Sequence, residues 1–192
     1  MVAAKSGSDY FGNVEMALVI DGNWHKFTGG FQYYPQIGLD DIYPHTGPSE
    51  GKGIIYFYGK NFREDFELAD VSCKIGDTIG KATVMNNGQT IKCVADEIEL
   101  VDEGYSLPAT VSLNGYSWVD SNQTFTPYGI TGVYPNSGPI TGNTDVLITG
   151  KGFSDDLAEK GKCKFGVNAN YAIVDAEVLS YDKIICRSPQ EY

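Results

Sequence analysis

The residues best able to do chemistry in this 192-residue chain are its four cysteines, Cys73, Cys93, Cys163 and Cys186. An even number fits a disulfide framework, and four cysteines admit three pairings. Reduced and buried, they would instead act as small hydrophobes. Zinc is not expected. No Cys-x-x-Cys occurs, and the two histidines, His25 and His45, stand apart in turn-like contexts. Neither histidine has a nucleophile motif nearby, and no Gly-x-Ser-x-Gly elbow occurs. The stretch Gly47-Pro-Ser-Glu-Gly51-Lys52-Gly53 looks superficially like a phosphate loop. It is one residue short and has Gly53 where a Ser or Thr should hold magnesium, so it reads as a turn. Carboxylates cluster at Asp96-Glu97, Glu99, Asp102-Glu103 and Asp155-Asp156. Calcium takes such hard oxygen ligands, but no loop has EF-hand spacing, and a solvated acidic surface is the expectation. No metal, cofactor or catalytic residue is implied. Asn122-Gln123-Thr124 is an N-glycosylation sequon, with Asn122 as its acceptor.

Composition excludes several partner classes. Lys and Arg total 14 against 25 Asp and Glu, for a net charge of −11. Phosphate binding draws on clustered Lys and Arg, so a nucleic-acid partner is not expected. Tyr, Phe, Ile and Val are too plentiful for a disordered polyacid. No apolar run approaches the roughly 18 residues of a membrane helix, so no membrane insertion is expected within this segment. No basic-then-apolar leader opens the chain.

The elements that position these residues come from an internal repeat. Tyr43-Pro44-x-x-Gly47-Pro48-x-x-Gly51 leads through an apolar run to Gly59-Lys60-x-Phe62. Tyr134-Pro135-x-x-Gly138-Pro139-x-x-Gly142 leads likewise to Gly150-Lys151-x-Phe153, every identity displaced by 91 residues. Cys73 maps near Cys163, and Cys93 maps on Cys186. A fainter match relates Val14–Gly22 to Ala109–Gly115, and Phe31-Gln-Tyr-Tyr34 to Phe125-Thr-Pro-Tyr128. Residues 1–36 therefore read as the C-terminal strands of a repeat, 37–129 as a complete repeat, and 130–192 as the N-terminal part of another.

Each unit reads as β. Short runs rich in Val, Ile, Thr, Tyr and Phe are separated by Gly, Pro, Asn and Asp clusters. Asp21-Gly22 and Asn87-Gly88 are hairpin signals. Alternation puts Ile55 and Phe57 on a core face, matched by Val146 and Ile148. Ile54, Tyr56 and Tyr58 occupy the opposite face. Tyr56 and Tyr58 are candidates for stacking on a sugar or docking a neighbour. Only Ser154–Glu159 has the makings of a helical turn, with Ser154 as N-cap. About seven strands in some 93 residues suits an immunoglobulin-like sandwich.

At these residues the chain resembles the IPT/TIG family of immunoglobulin-like domains. The motif is a short apolar strand, Pro-x-x-Gly-Pro-x-x-Gly, a second apolar strand and Gly-x-x-Phe, here Ile42–Phe62 and Val133–Phe153. The second repeat continues with Cys163-Lys-Phe-Gly166 and Cys186-Arg-Ser-Pro189. The first continues with Cys73-Lys-Ile-Gly76 and Cys93, but has Ala95-Asp96 in place of Ser-Pro. The resemblance implies tandem all-β sandwiches. Its known members include receptor ectodomains, surface proteins with long arrays, modules of carbohydrate-active enzymes and dimerisation domains of transcription factors. The acidic charge argues against the last of these. With the repeat as guide, the favoured pairings are Cys73–Cys93 and Cys163–Cys186.

The frame of the repeats carries the functional expectation. Val14, Met16, Leu18 and Ile20 alternate on one face of a segment with no sheet of its own, whereas 130–192 would show an open core and edge. A hairpin from one copy completing the open sandwich of the next is recognition by strand addition. Such a head-to-tail contact builds an open polymer unless it closes. The expectation is a non-catalytic structural subunit of an extracellular or cell-surface filament or array, partnered by itself or by neighbouring repeats. The alternative is part of a receptor or adhesion ectodomain that binds a protein or a glycan.

Overall fold

The computed structural model describes residues 12–62, 70–154, 161–167 and 169–190. The acidic pair Asp155-Asp156 and the helical turn expected at 154–159 fall outside the described residues, apart from Ser154. The chain divides into two compact units, residues 1–38 and 39–192.

The first unit is a hairpin of β1 (Gly12–Ile20) and β2 (Asn23–Tyr33), paired antiparallel. Asp21 and Gly22 join them, both at positive φ, as a two-residue turn of the primed kind demands. The ladder runs Val19↔Trp24, Leu18↔His25 and Met16↔Phe27, then slips to Val14↔Phe31, so β2 carries two extra residues around Gly29. Both faces meet water: Met16, Leu18 and Ile20 are about half exposed, and Trp24 is 72% exposed.

The second unit begins with β3 (Gly38–Tyr43), β4 (Thr46–Pro48), β5 (Lys52–Lys60), β6 (Ser72–Ile75), β7 (Thr78–Met85), β8 (Thr90–Asp96) and β9 (Leu107–Ser112). β10 (Trp118–Tyr134) follows, and its first part closes this sandwich. One layer runs β3-β5-β8, continuing through β7 to the layer β7-β6-β9-β10. β4 adds to β10 in parallel. The core is period-2 alternation made physical. Ile55 and Phe57 on β5, Ile75 on β6, Ile91 on β8, Val111 on β9 and Phe125 on β10 are all fully buried. Each such side chain contributes roughly 1.5–3 kcal/mol of transfer free energy.

β10 then runs on into the second repeat, where Ile130–Tyr134 pair with β11 (Asp145–Lys151). β12 (Lys162–Val167), β13 (Asn170–Ser180) and β14 (Lys183–Arg187) complete the order β12-β13-β14-β11-β10. The two repeats share register. Ile55↔Cys93 and Phe57↔Ile91 in the first become Val146↔Cys186 and Ile148↔Ile184 in the second. In both, the Tyr-Pro peptide bond is cis, at Tyr43-Pro44 and Tyr134-Pro135.

Candidate interaction site

The two repeats differ in what lies over β6 and its counterpart β12. In the first, β9 pairs antiparallel with β6: Ser72↔Ser112, Cys73↔Val111, Lys74↔Thr110 and Ile75↔Ala109. β9 and β10 thereby bring Ala109, Val111, Leu113 and Phe125 over the core. Gly47 sits so close to the Phe125 ring that a Cβ there would be 2.9 Å from it. Among the described residues of the second repeat, β12 is the last strand of its sheet and no strand lies beyond it. The consequence is read in burial. Ile55, Phe57, Cys73 and Ile75 are fully buried, whereas their counterparts Val146, Ile148, Cys163 and Phe165 are only half-buried. Ile42 is fully buried and its counterpart Val133 is 51% exposed. Where the first repeat is filled, the second has a cleft of about 910 Å³, lined by Val133, Gly138, Ile140, Val146, Phe165 and Tyr171 among others.

The β1–β2 hairpin corresponds to the β9–β10 hairpin of the first repeat. Its ladder pairs Val14↔Phe31 and Val19↔Trp24; the β9–β10 ladder pairs Leu107↔Phe125 and Ser112↔Trp118. β10 also carries two extra residues, between Asp120 and Thr124, where β2 carries its own. Met16, Leu18 and Ile20 therefore correspond to Ala109, Val111 and Leu113. The shared tryptophans, Trp24 and Trp118, and the shared bulge escaped the sequence reading. A tryptophan 94 residues from its twin was the available signal.

The cysteines are joined as Cys73–Cys93 and Cys163–Cys186, with Cα atoms 5.8 and 6.3 Å apart. Each bridge ties the β6-type strand to the β8-type strand of its repeat. Where the repeats meet, Lys151 reaches Asp102 at 2.5 Å, and the Tyr181 hydroxyl donates to the carbonyl of Val101 at 3.0 Å. The hydrogen bond from Lys151 holds the Asp102 carboxyl below its usual range and raises Lys151 in return. Burial raises the Tyr181 phenol. Gly152, at positive φ, packs where a Cβ would strike the carbonyl oxygen of Pro127.

The remaining candidates are dispersed. Asn122 is exposed on the β10 bulge, its N–H donating to Asp120 Oδ1 at 2.9 Å. Tyr58 is exposed, but Tyr56 is half-buried, being mid-strand between Ile54 and Tyr58 on one face. His45 lies 3.5 Å from Asp41, and His25 lies on the exposed hairpin opposite Leu18. Among the described residues no three His, Cys, Asp or Glu side chains gather as a metal site.

Both repeats match the model of the IPT/TIG domain, over residues 39–127 and 127–192, and the chain belongs to that family. None of the curated proteins matches. Two solved structures resemble the fold, each described as the full extracellular region of plexin A4. One has a TM-score of 0.42 at 17% identity, covering 97% of this chain and 16% of that chain. The other has a TM-score of 0.45 at 19% identity, covering 88% of this chain and 17% of that chain. This chain thus spans about a sixth of their length.

Proposed function

We propose that this chain is a non-catalytic section of an extracellular or cell-surface protein built from tandem IPT/TIG repeats, serving as part of a receptor- or adhesion-type ectodomain that engages a protein or a glycan. The carrying observation is the pair of disulfides placed identically in the two repeats. Disulfides of this kind persist in oxidising compartments and are rare in the cytosol. The sequon supports the same setting, since Asn122 stands exposed on a bulge. Tyr58, exposed beside Tyr56, offers an aromatic surface of the sort that stacks on sugars.

The test is topological. Intact cells expressing the native gene are treated with a membrane-impermeant amine reagent, and the protein is then recovered. Labelling without permeabilisation, together with a mobility shift on endoglycosidase treatment that Asn122→Gln removes, is the expected result. Labelling only after permeabilisation overturns the reading. On a glycan array, binding lost in Tyr58→Ala identifies the ligand as a sugar.

A second reading has its own observation in its favour. An apolar hairpin and an open sandwich in one chain favour a structural subunit of a filament or surface array.

A further inference from the structure

We propose that the cleft of the second repeat is a strand-acceptor site and that its occupant is the β1–β2 hairpin of a second copy of this chain. Such assembly deepens the array reading above and rests on it for its setting.

The first repeat shows what the site takes. There, β9 pairs with β6 and Phe125 of β10 covers Gly47, leaving Ile55, Phe57 and Ile75 fully buried. The second repeat has the corresponding strands in the same register, and among the described residues none pairs with the outer edge of β12. Transferring the β6–β9 register gives a definite docking: Val19 opposite Lys162, Leu18 opposite Cys163, Ala17 opposite Lys164 and Met16 opposite Phe165. Phe31, the counterpart of Phe125, then lies against Gly138, the counterpart of Gly47, which lines the cleft.

Side-chain size favours this occupant over a hairpin like β9–β10. On the acceptor, Ile55 and Phe57 of the first repeat become the smaller Val146 and Ile148. On the donor, Ala109 and Ser121 become the larger Met16 and Phe27. At these two positions the hairpin is bulkier than β9–β10. Phe165 in place of Ile75 and Val174 in place of Gly80 on the acceptor, and Val14 in place of Leu107 on the donor, run in the other direction. Exposure agrees: Met16, Leu18, Ile20 and Phe27 are about half exposed on the donor, and the matching positions of the first repeat are buried.

Docking is heterologous, because the hairpin and the cleft are different surfaces of one chain. Two variants separate them. Leu18→Asp disables the donor and leaves the acceptor untouched. In the second variant, a further copy of residues 12–34 is tethered after Tyr192, filling the acceptor and leaving the original hairpin free. Sedimentation velocity over a wide concentration range is the readout. Wild type is expected to form a concentration-dependent series of oligomers. Each variant alone is expected to stay monomeric, with the apparent dissociation constant of Leu18→Asp weakened at least ~100-fold because a charge would enter an apolar contact. In a mixed oxidation experiment, Val19→Cys in one copy and Lys162→Cys in another are expected to cross-link, and Val19→Cys with Lys183→Cys are not. A wild type that is monomeric throughout, or a Leu18→Asp variant that associates like wild type, overturns the inference. A monomer found on the cell surface sinks strand exchange but leaves the ectodomain reading standing. Confinement to the cytosol sinks the ectodomain reading instead.

Discussion

Gly88 shows how one residue holds a strand pair together. It sits at positive φ in the turn between β7 and β8, and its approach to Phe62 leaves no room for a Cβ. The Phe62 N–H donates to the Gly88 carbonyl at 3.0 Å, so the turn also anchors the buried Phe62. Gly88→Ala is therefore expected to destabilise the first repeat by more than about 1 kcal/mol and so to lower its melting temperature, because neither the backbone conformation nor the space admits a side chain. Circular dichroism melting checks it. The Cys73–Cys93 bridge closes a 20-residue separation. The double change Cys73→Ala with Cys93→Ala is expected to cost about 3 kcal/mol in the chain-entropy picture. Denaturant unfolding, compared with the Cys163→Ala, Cys186→Ala variant, measures it.

At the scale of elements, β10 is the strand that belongs to both repeats. Its continuity alone does not set the joint, since it bulges between Ile130 and Gly132. Lys151, Asp102 and Tyr181 clamp the repeats beside that bulge. The pH dependence has a definite sign. Asp102 titrates below its ordinary range, so its contribution is present above that range and is lost as pH falls through the depressed value. Lys151 titrates above its ordinary range, so its contribution is lost as pH rises through the raised value. The joint is thus held between the carboxylate and lysine ranges. Lys151→Met is expected to widen the distribution of angles between the repeats at neutral pH, as seen by small-angle X-ray scattering. Wild type should reproduce that widening only in acid or strong alkali. Because the pair is exposed, global stability should hardly change, and added salt should weaken the clamp.

For the whole molecule, the uneven core predicts uneven stability. Among the described residues, the buried apolar side chains of the second repeat are only Phe153, Ala176 and Cys186. Local stability follows buried apolar contact. In calorimetry of the monomeric Leu18→Asp variant, the second repeat is expected to melt before the first, in a separable transition. Amide exchange should be faster in β12 than in β6, although the strands correspond residue for residue. Filling the cleft with a tethered hairpin should merge the transitions. Equal protection of β6 and β12 in the monomer would contradict this account.

Much of this was legible without coordinates. Alternation of Ile55 with Phe57 named the core face, because side-chain direction along a strand is set by the backbone itself. Asp21-Gly22 and Asn87-Gly88 named turns, because only residues tolerant of positive φ fit there. The repeat and its motif named the family, since both are properties of spacing alone. The joint was not legible. Lys151 and Asp102 are 49 residues apart, and nothing in either neighbourhood announces the other. The equivalence of Trp24 with Trp118 was open to view in their 94-residue offset, the same as that of Phe31 and Phe125, and the two ladders give it its structural meaning. The sequence by itself determined that the chain is a run of sandwich repeats with paired cysteines, because strand period, turn chemistry and repeat spacing are local quantities. The repeat frame already pointed to a complete first sandwich and an open edge in the second; only the tertiary structure decided that β9 lies on β6 and covers the first core, and that Lys151, Asp102 and Tyr181 join the two repeats. Burial depends on which strand lies over which, and that is settled by pairings between residues far apart along the chain.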